Sequence, residues 1–341
     1  MMSIKKTMAA IFLSVASLTT SVQANYWGSC NDCCPDVTVG VDWLYWSPCA
    51  SDRHFALTTE GIDSEVNVKT HYLCDEWDSG VRVYGKLGNL WNGFNGGLIY
   101  TYINPKTSGS VEQIGNNGVV FSFGLPIPGE SGGLLQGSRL DAKWELQYQT
   151  LDAILSYSID VTQNRCFKIE AFSGLTWVDV KQKASYTLDQ VGGNEIEIRV
   201  DFDRNNDFWA IGPCFGLNTS FRFCDCFNIF GLVKTSLVVG ESKNKDVIYG
   251  TRGSSETSTF VTVTAKDKCF CFPGLHLATG IDYELCLCNI TLDLRLGWEY
   301  VQWINAPTFP YYELDGLGVR SAPSTNDLTM QGIFLGLNTT F

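Results

Sequence analysis

Between Asn289 and Val301 the chain alternates apolar and polar side chains with a period of two. Ile290, Leu292, Leu294, Leu296, Trp298 and Tyr300 share one face, and Thr291, Asp293, Arg295, Gly297 and Glu299 share the other. Successive side chains of a strand point to opposite sides of its sheet, so this segment predicts a strand with one apolar face. A strand in a soluble sandwich usually runs about 5–6 residues, whereas one that crosses a membrane needs about 9–11. This alternation outlasts both. It ends on Trp298 and Tyr300, residue types that sit at a bilayer interface, and its charged face suits a wet lumen better than a sandwich core.

The pattern recurs. Trp209, Ile211, Phe215, Leu217, Phe221 and Phe223 alternate with Gly212, Gly216, Asn218, Ser220 and Arg222. Leu275, Leu277, Ile281, Tyr283 and Leu285 alternate with His276, Gly280, Asp282 and Glu284, and Val37, Val39, Val41, Trp43 and Tyr45 with Thr38, Gly40 and Asp42. Leu151, Ala153, Leu155, Tyr157 and Ile159 alternate with Asp152, Ser156, Ser158 and Asp160. Just upstream, Trp144, Leu146 and Tyr148 have the opposite parity, which predicts a β-bulge near Gln149. Phe227 to Val239 reads less cleanly, with Phe230 and Leu232 on the inner face.

Ten strands follow, at about 37–46, 77–87, 91–103, 144–160, 166–179, 207–223, 227–239, 272–285, 289–302 and 329–341. Short turns near Gly88-Asn89, Thr162 to Arg165, Cys224 to Cys226 and Cys286 to Cys288 alternate with long polar stretches. These cover roughly 47–75, 104–143, 181–206, 240–268 and 305–327. Tyr186 to Leu188 and Glu195 to Val200 look like a further hairpin, so a total of about 10–16 strands is open. The fold class is all-β, a transmembrane antiparallel barrel with short periplasmic turns and long extracellular loops. After the first residues no run of 18 apolar residues occurs, which excludes helical spans.

Composition and export signals support this reading. The chain has 33 Gly, 20 Phe, 14 Tyr and 10 Trp, which suits a β protein. Its net charge of −12 repels phosphates, so no nucleic-acid partner is expected. Lys5 and Lys6, the apolar run Met8 to Leu18 and the small residues of Val22-Gln23-Ala24 predict a secretory signal over residues 1–24. Residues 25–36 then form a periplasmic segment and 37–341 the barrel. Ile333, Leu335, Leu337 and Phe341 share a face of the last strand, the terminal aromatic pattern that barrel-assembly machinery reads, although Thr339 departs from it.

Export places the 13 cysteines in an oxidising compartment. The odd number leaves at least one thiol free or bonded to another chain. Zinc ligation would use C-x₂-C spacing and more than the 3 histidines present, so no metal or cofactor is expected. Cys30, Cys33 and Cys34 precede the first strand, and Cys166, Cys224, Cys226, Cys286 and Cys288 lie at or beside short turns. All are disulfide candidates on the periplasmic side, either between chains or as staples between neighbouring turns. Cys269 and Cys271 fit this scheme poorly, because their strand starts outside.

The polar parity carries the candidate chemistry. Arg82, Lys86, Asp152, Lys168, Glu170, Arg222, Asp282, Glu284, Asp293, Arg295 and Glu299 fall on the lumen face. Rings of charged side chains set the ion preference of a pore. The alternative is that these charges pair across strands and only keep the interior wet. Asp201 to Asp207 resembles the start of a calcium loop but lacks its sixth-position Gly and twelfth-position acid, and an acidic extracellular loop explains it equally. His54, His71 and His276 lie in no catalytic motif, so no catalytic residue is assigned.

The stretch VTVGVDWLYWSP (Val37 to Pro48), then DEWDSGVRVYGKLG, NGFNGGLIYTYIN and GIDYELCLCNITLDLRLGWEYVQW, resembles two families. These are the cysteine-rich, major-outer-membrane-protein-like porins of Chlamydia-related bacteria and the Legionella-type pore-forming outer-membrane proteins. The resemblance implies an outer-membrane porin passing ions and small hydrophilic solutes, with disulfide cross-links to neighbouring envelope proteins. It also implies a homo-oligomer seated in outer-membrane lipid. The alternative is a barrel that conducts little and serves as a structural or adhesive envelope protein.

Overall fold

A computed structural model describes residues 36–50, 54–60, 67–73, 76–91, 93–112, 119–121, 136–137, 139–161, 166–192, 195–224, 226–252, 258–287, 290–315 and 318–341. The expected signal segment and nearly all of the segment 25–36 lie outside these residues, as do Cys30, Cys33, Cys34 and Cys288. The strands in order are β1 (Val37–Ala50), β2 (His54–Glu60), β3 (Asn67–Tyr72), β4 (Asp78–Trp91), β5 (Phe94–Ile103), β6 (Lys106–Glu112), β7 (Val119–Phe121) and β8 (Gln136–Gly137). They continue as β9 (Arg139–Asp160), β10 (Phe167–Gly192), β11 (Glu195–Cys224), β12 (Phe227–Arg252), β13 (Ser258–Leu287), β14 (Ile290–Asp315) and β15 (Gly318–Thr340).

The main sheet runs β10-β11-β12-β13-β14-β15-β1-β4-β5-β9-β6, and an additional β9–β10 pairing closes ten of these strands into an antiparallel barrel. The closing ladder joins the ends of the barrel: Thr38 faces Thr340, and the Val37 and Phe341 backbones exchange hydrogen bonds of 3.4 and 3.0 Å. These ten strands are those expected from the alternation. The further strand β6 pairs with the upper part of β9. Strands β2, β3, β7 and β8 form a small separate sheet from the first two long connections.

Strand length exceeds expectation. β11 and β13 each hold 30 residues and β10, β12 and β14 each hold 26, far more than a bilayer requires. The stretches 181–206, 240–268 and 305–327, expected as long loops, are largely the upper halves of these strands. The hairpin expected at Tyr186 to Val200 is the tip of β10 and β11, not an added pair.

The alternation keeps its period over this length but changes its sign. In the lower part of β11, Ile211, Phe215, Leu217, Phe221 and Phe223 are exposed on the outer face. Above Trp209 the outer face of the same strand carries Arg199, Asp201, Asp203, Asn205 and Asp207, while Val200, Phe202 and Phe208 are buried inside. β9 does the same. Leu140, Trp144, Leu146 and Tyr148 are buried on the parity that lower down presents Asp152 and Ser156, and its ladder to β10 runs without a shift from Asp160 to Arg139. The bulge expected near Gln149 is therefore absent; the environment changes there, not the register.

The lower outer belt is apolar and rimmed by aromatics. Trp43, Tyr45, Trp77 and Trp298 follow one another along the upper rim, with ring centroids 5.3–6.0 Å apart. Phe94 with Tyr157, and Phe223 with Phe227 and Tyr283, mark the lower one. The belt matches a hydrocarbon core flanked by interfacial rings, so the protein sits in the outer membrane with its upper half in water. Phe55, Ala56 and Leu73 from the small sheet and its flank join the apolar core of that upper half.

One bulge is present at the membrane surface, where Gly240 pairs with Phe270 and Glu241 with Lys268. The skipped residue is Cys269, exposed and at φ 65. The segment Asp201 to Asp207, which resembles the start of a calcium loop in sequence, is extended strand, its acids outward and Phe202, Arg204 and Asn206 inward, so it does not form a loop that wraps an ion. Because the upper interior is a packed apolar core, Phe272→Ala is expected to cost about 3–5 kcal/mol. Leu335→Ala, on the lipid face, should cost less; urea unfolding of the protein in vesicles, followed by tryptophan fluorescence, compares the two.

Candidate functional site in the barrel lumen

Inside the belt, glycines and small residues leave room for large neighbours. A cavity of about 700 Å³ runs from Thr38, Lys168, Arg222 and Thr340 at the short-turn end up to Trp46, Tyr148 and Trp303. Of the lumen charges expected from sequence, all except Glu284 line it. Glu284 lies at the same end and is bound by Arg222, Nη2 to Oε2 2.5 Å.

Arg82 organises the upper part of this cavity. It donates from Nη2 to Glu299 Oε2 at 2.7 Å, from Nη1 to Asp42 Oδ2 at 3.2 Å and from Nε to Thr101 Oγ1 at 3.3 Å. Glu299, fully buried, also accepts Trp46 Nε1 at 2.9 Å and lies 2.9 Å from His276 Nε2. Rings cover what is left of the guanidinium: Arg82 Cζ sits 5.7 Å from the Trp46 centroid and 6.0 Å from that of Phe334. One level lower, Arg295 bonds Asp282 Oδ1 at 3.2 Å and lies over Phe230 at 4.4 Å. Tyr84 donates to Asp42 at 3.3 Å and to Asn338.

The remaining charges bridge strands that do not adjoin. Lys234 of β12 reaches Asp152 of β9 at 2.6 Å, where Thr176 also donates at 2.5 Å. Lys86 of β4 pairs with Glu170 of β10, which also accepts from Ser156 at 2.5 Å. Most of the lumen charges are thus tied to one another across the cavity, and the mixed signs noted in the sequence resolve largely into ion pairs. Asp293 stands opposite Glu284 in the β13–β14 ladder, and exposed Lys168 stands at the mouth.

Above this polar layer aromatic side chains meet across the lumen. Trp303 Nε1 of β14 donates to Tyr148 Oη of β9 at 3.2 Å, and these strands lie on opposite sides of the barrel. Phe272 stacks edge-on to both Trp303 and Phe208, each pair 5.7 Å apart. Gly274 makes space for this lid, since a Cβ there would sit 2.5 Å from Trp303. Side chains of the barrel strands build this layer.

Sequence reasoning did not assign Trp46, Tyr84, Tyr148, Lys234, Trp303, Phe334 or Asn338 to the lumen, and it read the parity of Tyr148 as a bulge. Parity was the available signal, because each lies on the inward side; reading apolar residues as outward hid the aromatic ones. Among the cysteines, Cys166, Cys224 and Cys226 lie at the short-turn end, where Cys166 O accepts Arg222 N at 2.7 Å and Cys226 O accepts Glu284 N at 2.8 Å. Cys286 closes β13 at that end. Cys49, Cys269 and Cys271 are exposed at the opposite end of the belt, and Cys214 is buried in the wall.

The chain matches the family model described as Legionella pneumophila major outer membrane protein precursor over residues 33–341. No curated protein matches it in sequence. Among solved structures it is similar to the outer membrane protease OmpT from Escherichia coli, at 13% identity and TM-score 0.44, covering 93% of this chain and 99% of that one. It is also similar to Ail, the attachment invasion locus protein of Yersinia pestis, at 11% identity and TM-score 0.23, covering 91% and 100%. A Pseudomonas aeruginosa FadL homologue matches at 8% identity and TM-score 0.24, covering 90% of each chain. Superpositions this loose carry no argument about activity.

Removing one member of a buried ion pair leaves its partner's charge uncompensated. Glu299→Ala is therefore expected to destabilise by about 3–5 kcal/mol. Glu284→Ala, at the partly exposed rim pair, should change stability by no more than about 1 kcal/mol. Paired urea titrations in vesicles read both, and equal losses would refute the buried network.

Proposed function

The chain belongs to the family of the Legionella pneumophila major outer membrane protein precursor, and on that premise we propose that it is a closed outer-membrane barrel. In this reading it holds a water-exposed wall above the membrane, a structural or adhesive envelope role, and does not let solutes diffuse freely. The carrying observation is the Trp303–Tyr148 hydrogen bond between opposite strands, set in a layer with Trp46, Phe208 and Phe272. A barrel of about eight strands is just filled by its own side chains, and aqueous channels belong to barrels of about 16–18. Ten strands lie near the filled limit. The reading involves no catalytic step.

The porin reading keeps one observation in its favour: a polar cavity of about 700 Å³, lined by charges of both signs, reaches the lid from the short-turn end. Conduction would require Trp303 and Tyr148 to part. Disulfide links through exposed Cys224 or half-buried Cys166 and Cys226, recognition of Phe341 by barrel-assembly machinery, and a homo-oligomeric state belong to the same proposal; each needs its own assay.

Single-channel recording in a planar lipid bilayer tests the choice. The native barrel should show no sustained open level, and Trp303→Ala combined with Tyr148→Ala should produce discrete steps. Long-lived native steps with a reversal potential under a salt gradient would overturn the closed reading and establish the porin.

A further inference from the structure

Just above the aromatic rim, the outer wall of β10 to β13 carries a lysine cluster fixed by strand register. Lys181 of β10 stands beside Asp207 of β11, Asp207 beside Lys243 of β12, and Lys243 beside Lys266 of β13. In the next row up, Lys183 stands beside Asn205, and Asn205 beside Lys245. Adjacent strands lie about 4.8 Å apart, so these ammonium groups share a face roughly 15–20 Å wide. Their inward neighbours Gln182, Asn206, Ser242 and Asn244 are buried, which directs the lysines outward.

Local acids neutralise the cluster only in part: Glu145 of β9 stands beside Lys183 but is also bound by Lys106 at 3.0 Å. Glu241 is engaged by Lys266 at 3.4 Å, and Asp179 accepts a hydrogen bond from Gln149. Asp207 lies within the rows and Asp203 and Asp201 above them. Among the described residues, Lys181, Lys183, Lys243 and Lys245 make no ion pair at all, in a chain whose net charge is −12. Directly beneath lie Trp177 and exposed Trp209, then Ile211, Val239 and Cys271 of the lipid belt. The lysines therefore stand at headgroup depth, on the side of the membrane away from the short turns.

We propose that this face docks a phosphorylated anionic lipid of the outer leaflet, its phosphates among Lys181, Lys183, Lys243 and Lys245 and its acyl chains against Ile211 and Val239. An ammonium group is a compact partner for phosphate. Clustered lysines at an anionic membrane surface gain on the order of fivefold in binding each. The position is what distinguishes the cluster from ordinary solvated charge: the rows begin where the apolar belt stops.

The test uses the purified full barrel in neutral-phospholipid nanodiscs, titrated with diphosphorylated lipid A or with the same lipid chemically dephosphorylated. Binding should favour the phosphorylated form and weaken with added salt. The combined change Lys181→Gln, Lys183→Gln, Lys243→Gln and Lys245→Gln should weaken it at least about tenfold. A control with Lys69→Gln, on the separate small sheet, should bind as the native protein does. Equal native binding of both lipids, a result independent of any variant's folding, would overturn the proposal. So would a correctly folded quadruple variant that binds within twofold of native, or full displacement by inorganic phosphate at matching concentration, which would mark a phosphate site and not a lipid face.

Discussion

Within the hydrocarbon of a bilayer no water is available to satisfy a backbone amide, so a spanning sheet must leave no edge. Here that condition is met by two ladders, β1 with β15 and β9 with β10, which close the sheet on itself. Closure gives every strand an inside and an outside, and the period of two then assigns each residue to one or the other. What remains is a matter of environment. At membrane depth, lipid lies outside, so apolar side chains face out and charges face in. Above it, water lies outside and the interior of the same tube is far from solvent, so the assignment reverses.

That reversal explains which features are legible in the sequence. Leu292 to Tyr300, Trp209 to Phe223 and Val37 to Tyr45 stand out because their apolar face is the lipid face. The upper halves of β10 to β13 read as polar loops, since Lys181, Lys183, Asp203, Lys243 and Lys245 dominate the eye, while the inward parity mixes core residues such as Val180, Ala184, Phe202 and Phe208 with buried Gln182, Asn206 and Asn244. Trp144, Leu146 and Tyr148 suggest a bulge for the same reason. Phe230 is an exception on the inner face by parity, and it lies there, against Arg295. No periodicity could show that Lys86 reaches Glu170 or Lys234 reaches Asp152. Those partners are three strands apart around the barrel, and only its curvature brings them together.

The lumen charges illustrate how a narrow barrel handles polarity. Placing Arg82 and Glu299 among rings removes both from water, which costs several kcal/mol per ion unless partners restore what hydration supplied. Arg82 finds two carboxylates and a hydroxyl; Glu299 finds a guanidinium, an imidazole and an indole N–H. Each therefore depends on the others, and the group behaves as one unit. In a wide channel such side chains would be hydrated singly and set ion preference. Here most of them are already engaged with one another, so their sign and number along the chain do not translate directly into a ring of free charges.

On the closed reading proposed above, the residues that meet across the tube decide what opening would require. A loop folded into a barrel can swing away while the wall around it stays intact, and such a plug is separable from the fold. In this chain Trp303, Tyr148, Trp46 and Phe272 are strand residues, continuous with the apolar core that holds the upper barrel together. Parting them would uncover that core to water over several aromatic side chains, each worth about 1.5–3 kcal/mol in burial. The same side chains also fix the wall on which the outward charges are displayed. Permeability and the stability of the surface structure are thus set by one group of residues, so that any opening of this tube must draw on the energy that keeps its exposed half folded.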